Sequence, residues 1–283
     1  TDNMVIWSLI ITLICYLILL LGKYQILDKM IKIIILILAV STLFSTGVAS
    51  INSEEAYSLK QIFPTGSGLV FLVAFMGWMP APLDISIWHS IWTLEKKKNQ
   101  KITPKESLFD FNVGYFATVI LGICFVSLGA LVMFNSGISF SNSGSVFANQ
   151  LIELYTSNLG DSFYLIISIC AFTTMLSTTI TCLDASPRTM SRATQLLTKN
   201  NNTSYYFQWI SALAVGTMLI FYFLLSEMGA LVELATILSF ITAPFYAILN
   251  YKLIISKNMP ESYKPSKPLR ILSVIGILFL SLF

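Results

Sequence analysis

Apolar residues in this chain fall in long unbroken stretches. They follow neither the alternation of a half-buried strand nor the narrow stripe of a surface helix. Eight runs stand out, over residues 4–21, 31–50, 66–93, 113–134, 162–183, 206–225, 229–250 and 270–283. About 20 apolar residues suffice for a helix to cross the hydrocarbon core. The pattern therefore predicts an all-α membrane protein, a single transmembrane domain of about eight helices. The third run is long and interrupted, and the last, 13 residues from Ile271 to Phe283, is too short to span. Residue 1 is Thr and the first Met is Met4, so the chain reads as a fragment truncated at both ends. The first run lacks the basic flank and small-residue cleavage site of a signal peptide.

Composition sharpens this picture. Hydrophobic residues make up 55% of the chain and charged residues 11%, with a mean hydropathy of +0.77. A soluble domain carries about 25% charged residues, which excludes the soluble enzyme classes. The net charge of +3 does not point to nucleic acid, because the basic residues are distributed by topology. Sixteen of the 17 Lys and Arg lie in four alternate loops, 22–32, 94–112, 184–205 and 251–270, and only Lys60 falls on the other side. The opposite loops hold Glu54, Glu55, Glu153, Asp161 and Glu227. The positive-inside rule makes the Lys/Arg-rich loops cytoplasmic and the protein an integral component of a plasma (inner) membrane. The sequon at Asn201 lies on that cytoplasmic side and is discounted. Cys15, Cys124, Cys170 and Cys182 all sit in apolar runs without a C-x-x-C pair and read as inert buried thiols. In the external stretch 135–161, Phe147, Leu151, Leu154 and Tyr155 share a helical face, which predicts a short interfacial helix.

Candidate chemistry concentrates in the third run, GSGLVFLVAFMGWMPAPLDISIWHSIW. Pro80 and Pro82 lie in mid-span. Each lacks an N–H and crowds the preceding turn, so the helix should break there. Irregular backbone at membrane depth is tolerated where it is buried in protein or lines a cavity, and in transporters such breaks hold substrate. A plain proline kink is the structural alternative. Asp84 has two compatible readings: a charged group serving a cation or proton, or a cap at the third position of a second half-helix begun by Pro82. Met76 and Met79 flank the break. Most membrane methionines only pack, but a thioether beside free carbonyls would favour a transition metal over Mg²⁺ or Ca²⁺. His89, the single histidine, shares a face with Ser86, Ser90 and Thr93 and reads first as a hydrogen-bonded packing residue. In the fifth run Thr173, Ser177, Thr181 and Asp184, with Thr174 and Thr178, form a polar stripe of the kind that packs helices closely. In the seventh, Glu233 lies near the external end and Thr242-Ala243-Pro244-Phe245 predicts a second interruption.

Together these segments resemble the NRAMP family of divalent-metal transporters. GWMPAPLDISIWHS, LFDFNVGYFATVI, STTITCLDASPRTMSRA and ATILSFITAPFYAIL carry the resemblance, which covers nearly the whole chain and aligns it with the family's fourth to eleventh helices. It implies the inverted-repeat, LeuT-like secondary transporter fold, broken at Met79–Pro82, with the end of repeat one and all of repeat two present. It also implies metal ligation by Met79, by the backbone carbonyl of Met76 and by Thr242, which stands two residues before Pro244-Phe245. The family's usual His-Asn after Met-Pro is replaced by Ala81 and Pro82, so its usual proton route lacks a residue that Asp84 or His89 could replace. The family's first-helix Asp-Pro-Gly-Asn stretch is absent from these residues, in keeping with a fragment lacking three helices.

The expected function is secondary import of a divalent transition metal, Mn²⁺ or Fe²⁺, across the bilayer, with protons as a candidate coupling ion. No permanently bound cofactor and no nucleic-acid partner are expected. Transport of an organic solute such as an amino acid, or of Mg²⁺, is the alternative within the fold. An intramembrane enzyme would need paired Asp, His-Glu or Ser-His groups within the spans, and none is visible. The topology is testable by thiol labelling from outside: Cys in place of Lys98 or Lys264 should stay unlabelled, whereas Cys in place of Ser143 should react. The reverse pattern would invert the orientation.

Overall fold

A computed structural model describes all residues except 1, 22–23, 53–60, 80, 100, 135–140, 142–143, 201 and 225–226. Lys23, Glu54, Glu55, Lys60, Pro80, Ser143 and Asn201 of the sequence reading lie outside the described residues. The described elements are helical: α1 (Asp2–Leu20), α2 (Tyr24–Asn52), α3 (Ser67–Trp78), α4 (Ile85–Asn99), α5 (Pro104–Leu128), α6 (Gly144–Leu159), α7 (Tyr164–Thr198), α8 (Tyr206–Leu224), α9 (Met228–Ile254) and α10 (Lys267–Leu282). Four stretches, Pro104–Val132, Asp161–Thr198, Tyr206–Leu224 and Met228–Ile254, are long and apolar enough to cross a membrane. Met4–Leu20, Ile35–Ile51 and Ser67–Trp78 are shorter apolar helices. Large side chains such as Phe71, Phe116, Leu165 and Phe223 are exposed, as a hydrocarbon solvent permits.

Several helices differ in extent from the apolar runs, and α2 begins at Tyr24 and not at 31, so most of the segment expected as loop 22–32 is helix. α5 begins at Pro104 and not at 113. Its start is fixed by polar residues: Thr103 Oγ1 accepts the Glu106 N–H at 3.3 Å, and a Glu106 carboxylate oxygen accepts the Thr103 N–H at 2.8 Å. This is a reciprocal cap followed by Pro at the first helical position. At its far end α5 passes into a π turn over Gly129–Met133, closed by Phe134 N–H to the Gly129 carbonyl at 3.1 Å. α7 runs on past 183 to Thr198, through Pro187, so much of the segment expected as loop 184–205 is helix. Its charges do not end it, because Asp184 and Arg188 pair one turn apart, flanked by buried Leu183, Ala185, Pro187 and Ser191. Lys199, left-handed at φ 53°, terminates it.

The chain divides into two compact units, Thr1–Ser58 with Trp88–Gly229, and Leu59–Ile87 with Ala230–Phe283. In the first, α2, α6 and α7 enclose a core of Ala49, Leu128, Ile152, Leu154, Tyr155 and Ile167. α6 packs on this core through one face. Its Tyr155 is buried and its hydroxyl meets Thr42 Oγ1 at 2.9 Å, whereas Phe147 is exposed. Burial pushes the Tyr155 phenol up to about 12. A second cluster of Cys15, Ile180 and Leu183 joins α1 to α7 and α8, and Tyr16 and Ser211 hydroxyls meet at 2.8 Å. Within α7 the Thr174 and Thr178 hydroxyls donate to the Cys170 and Thr174 carbonyls one turn back, so this part of the polar stripe serves its own helix. Cys15, Cys124 and Cys170 are buried free thiols and Cys182 is a half-buried one. The second unit contains α3, α9 and α10, with Phe63, Phe240 and Phe279 ringed around Phe283.

Candidate functional site

The third apolar run is two helices. α3 ends at Trp78, Met79 is extended (φ −108°, ψ 130°), and α4 begins at Ile85. The cause is local. In an α-helix the Met76 carbonyl would accept from residue 80 and the Trp78 carbonyl from residue 82, and both of those residues are prolines without an N–H. The last regular bond of α3 is Met79 N–H to the Phe75 carbonyl at 3.0 Å. Main-chain oxygens at the end of a half-helix, carrying the negative end of its dipole, are suited to a cation.

α4 starts differently from the expectation that Pro82 would begin it and Asp84 would cap it. The Ile85, Ser86 and Ile87 N–H groups donate to the Pro82, Leu83 and Asp84 carbonyls at 3.2, 3.3 and 2.9 Å. The main chain, wound as a tight turn, satisfies these donors itself, so a carboxylate cap has nothing to accept. Asp84 is half-buried, and among the described residues no hydrogen bond or ion pair to its carboxylate is found. Ser86 Oγ donates to the Leu83 carbonyl at 2.7 Å and receives Asn250 Nδ2 at 3.0 Å, fixing the start of α4 to α9.

α3 and α9 cross at very short range. A Cβ placed on Gly77 would fall inside the Thr236 carbonyl and close to the Phe240 N–H, both backbone groups that cannot swing aside. One residue on, Trp78 Nε1 donates to Ser239 Oγ at 3.1 Å. The Thr236 hydroxyl is held by the Val232 and Glu233 carbonyls at 2.9 and 2.8 Å. Thr242 and Glu233 each lie one helical turn from this crossing, in opposite directions. Thr242 is exposed and donates to the Leu238 and Ser239 carbonyls at 3.0 and 3.1 Å, leaving its oxygen lone pairs as acceptors. Glu233 is exposed.

The expected second interruption is not there, because α9 is continuous through Pro244. A lone proline removes one bond from a 27-residue helix, which membrane helices tolerate. The pair at 80 and 82 removes two donors in a single turn. Met76, Met79, Ala81 and Asp84 are thus gathered by the break, all half-buried, with Thr242 and Glu233 on the crossing helix. His89 belongs to the other unit, where its ring stands edge-on to Phe111 at 5.3 Å, a packing contact. Among the described residues no three His, Cys, Asp or Glu side chains cluster as a metal site.

A family model described as natural resistance-associated macrophage protein-like, Nramp, matches residues 3–283. The chain belongs to the Nramp family. Nramp proteins have the LeuT-like fold of integral membrane transporters, which is the class of this all-helical chain. An uncharacterized protein of Pasteurella multocida (strain Pm70) is 33% identical over 273 residues, covering 94% of this chain. The chain spans 62% of the length of that relative. No solved structure matches.

Sequence reasoning missed the two bonds that frame the break, Trp78–Ser239 and Asn250–Ser86. They join residues 161 and 164 positions apart. A polar residue recurring on the inner face of α9 (Thr236, Ser239, Asn250) is the trace they leave in the sequence. The Gly77 crossing yields a direct test. Gly77→Ala should destabilise the protein by about 1–3 kcal/mol, as overpacking against immovable backbone does. Thermal unfolding in detergent measures this, and a parent-like melting temperature would contradict the close approach.

Proposed function

We propose that this Nramp chain carries part of the pathway of a secondary transporter that imports a divalent transition metal, Mn²⁺ or Fe²⁺, across the plasma (inner) membrane, with its Lys/Arg-rich loops in the cytoplasm. The observation that supports this reading best is the break at 79–84. It sets two carbonyls opposite prolines, beside a thioether, at the depth of an apolar helix. The Met76 carbonyl and Met79 Sδ are the ligands, and the Thr242 hydroxyl oxygen supplements them. A thioether gains nothing from a hard, tightly hydrated Mg²⁺, while softer Mn²⁺ and Fe²⁺ accept it alongside oxygen donors. Family membership supports the divalent-metal class. Ala81 and Pro82 leave no imidazole at the break, so Asp84 is the group to which cation or proton coupling is assigned, with Glu233 and His89 as the next titratable side chains.

Met79→Ala should erode metal discrimination. In uptake competition with the full-length protein, Mg²⁺ or Ca²⁺ should compete roughly tenfold better, the scale of one lost contact of about 1.4 kcal/mol. An unchanged metal profile would make Met79 a packing residue.

Asp84→Asn keeps shape and removes charge. Uptake should fall at least about tenfold, the scale of one lost contact to a charged group, while yield and melting temperature stay near the parent. Near-normal uptake by this variant would move the coupling role to His89 or Glu233.

A further inference from the structure

Away from the break, the first unit holds a compact cluster of charged and aromatic groups. Arg188 Nε donates to both Asp184 carboxylate oxygens, at 2.8 and 2.9 Å. Tyr206 Oη donates to Asp184 Oδ1 at 2.9 Å and Trp92 Nε1 to Oδ2 at 3.1 Å. The Arg188 guanidinium lies 5.1 Å from the centre of the Tyr206 ring and 4.0 Å from a Glu95 carboxylate oxygen. The Asp184 side chain is only 13% exposed. One carboxylate thus ties together α4, α7 and α8.

Three features set this cluster apart from an ordinary surface ion pair. Its central carboxylate is largely shielded from solvent, so the charge-assisted bonds it accepts are stronger than exposed ones. Its hydrogen bonds converge on Asp184, so the loss of that carboxylate releases Arg188 Nε, Tyr206 and Trp92 together. Finally, among the described residues α4 has no extensive backbone packing against another helix of its unit. α7 and α8 pack directly on each other, and Trp92 and Glu95 are among the α4 side chains that reach them. α4 is also the helix that follows the break, so a change at 79–84 reaches it first.

We infer that Asp184 is the hub of a releasable clasp that holds the C-terminal half of α4 to α7 and α8, and that opening this clasp accompanies the transport cycle. This rests on the transporter reading above. Asp184, Trp92 and Tyr206 are positioning residues that touch no substrate. Their loss should change the rate of uptake and leave the concentration of Mn²⁺ at half-maximal uptake near the parent value.

The test uses the full-length protein in lipid vesicles, with Cys182→Ala and spin labels on Lys96→Cys and Leu197→Cys. These are exposed positions on α4 and α7. The parent should give one short, narrow separation. Asp184→Asn should move a large share of molecules to a longer separation, since losing bonds to a charged acceptor shifts an equilibrium by roughly tenfold or more. The double variant Trp92→Phe with Tyr206→Phe keeps the Asp184–Arg188 pair and an aromatic ring at each position, and should give the same shift. It guards against misfolding of the first variant. Parent-like distances in both variants would overturn the clasp, whatever uptake does. The distance shift requires no metal, so a shift in a protein that takes up no Mn²⁺ would support the clasp and refute only the metal reading.

Discussion

In hydrocarbon every peptide N–H and C=O must find a partner within the protein, since water is not there to serve. The rest of this structure follows from how that constraint is met. Helices meet it through their own bonds, which is why the chain is helical throughout its described elements. Side-chain hydroxyls meet it in the same way, as Thr12, Thr42, Thr174 and Thr242 turn back to carbonyls of the preceding turn. Between α3 and α4 the arrangement fails by design of the sequence. Two prolines two residues apart remove the donors for two carbonyls, and the helix cannot continue.

The surroundings of the break compensate for the missing regular bonds with specific ones. Gly77 lets α3 press its backbone onto α9, Trp78 bonds to Ser239, and Asn250 holds Ser86. The first turn of α4 is closed by its own main chain. Asp84 is thereby left without structural employment, which is why charge rather than shape is the property to examine there. The contrast with Asp184 is instructive. Asp184 is satisfied by Arg188, Tyr206 and Trp92 donors, whereas among the described residues no donor to the Asp84 carboxylate is found.

Much of this was legible in the sequence, because the signals involved are local. Apolar runs mark helices, and proline chemistry places the break at 80–82 without reference to any neighbour. Helix ends were less legible, since hydropathy registers where a span leaves the membrane and not where hydrogen bonding stops. α7 continues to Thr198 on paired charges, and α5 starts at Thr103 on a polar cap. Pro244 looked like Pro82 from its neighbours in the sequence, yet a single missing bond does not unwind α9. Tyr155 was placed correctly on one face of α6, but a core contact to Thr42, 113 residues away, makes that face interior. The Asp184 cluster draws on α4, α7 and α8 and could not be seen along any one of them.

The crossing at Gly77 also has a mechanical meaning. Where two backbones touch without an intervening side chain, sliding along either axis is blocked, because the next residue in each direction carries a Cβ. Tilting about the contact is not blocked in this way. At about 1.5 Å per residue, Ser67 stands roughly 15 Å from this fulcrum and Met79 only about 3 Å. A tilt of about 10° would therefore carry the far end of α3 through roughly 3 Å while moving Met79 by about 0.5 Å. The glycine makes α3 a lever with a long arm away from the break and a short arm at it, so large displacements at one end leave the end at the break nearly still.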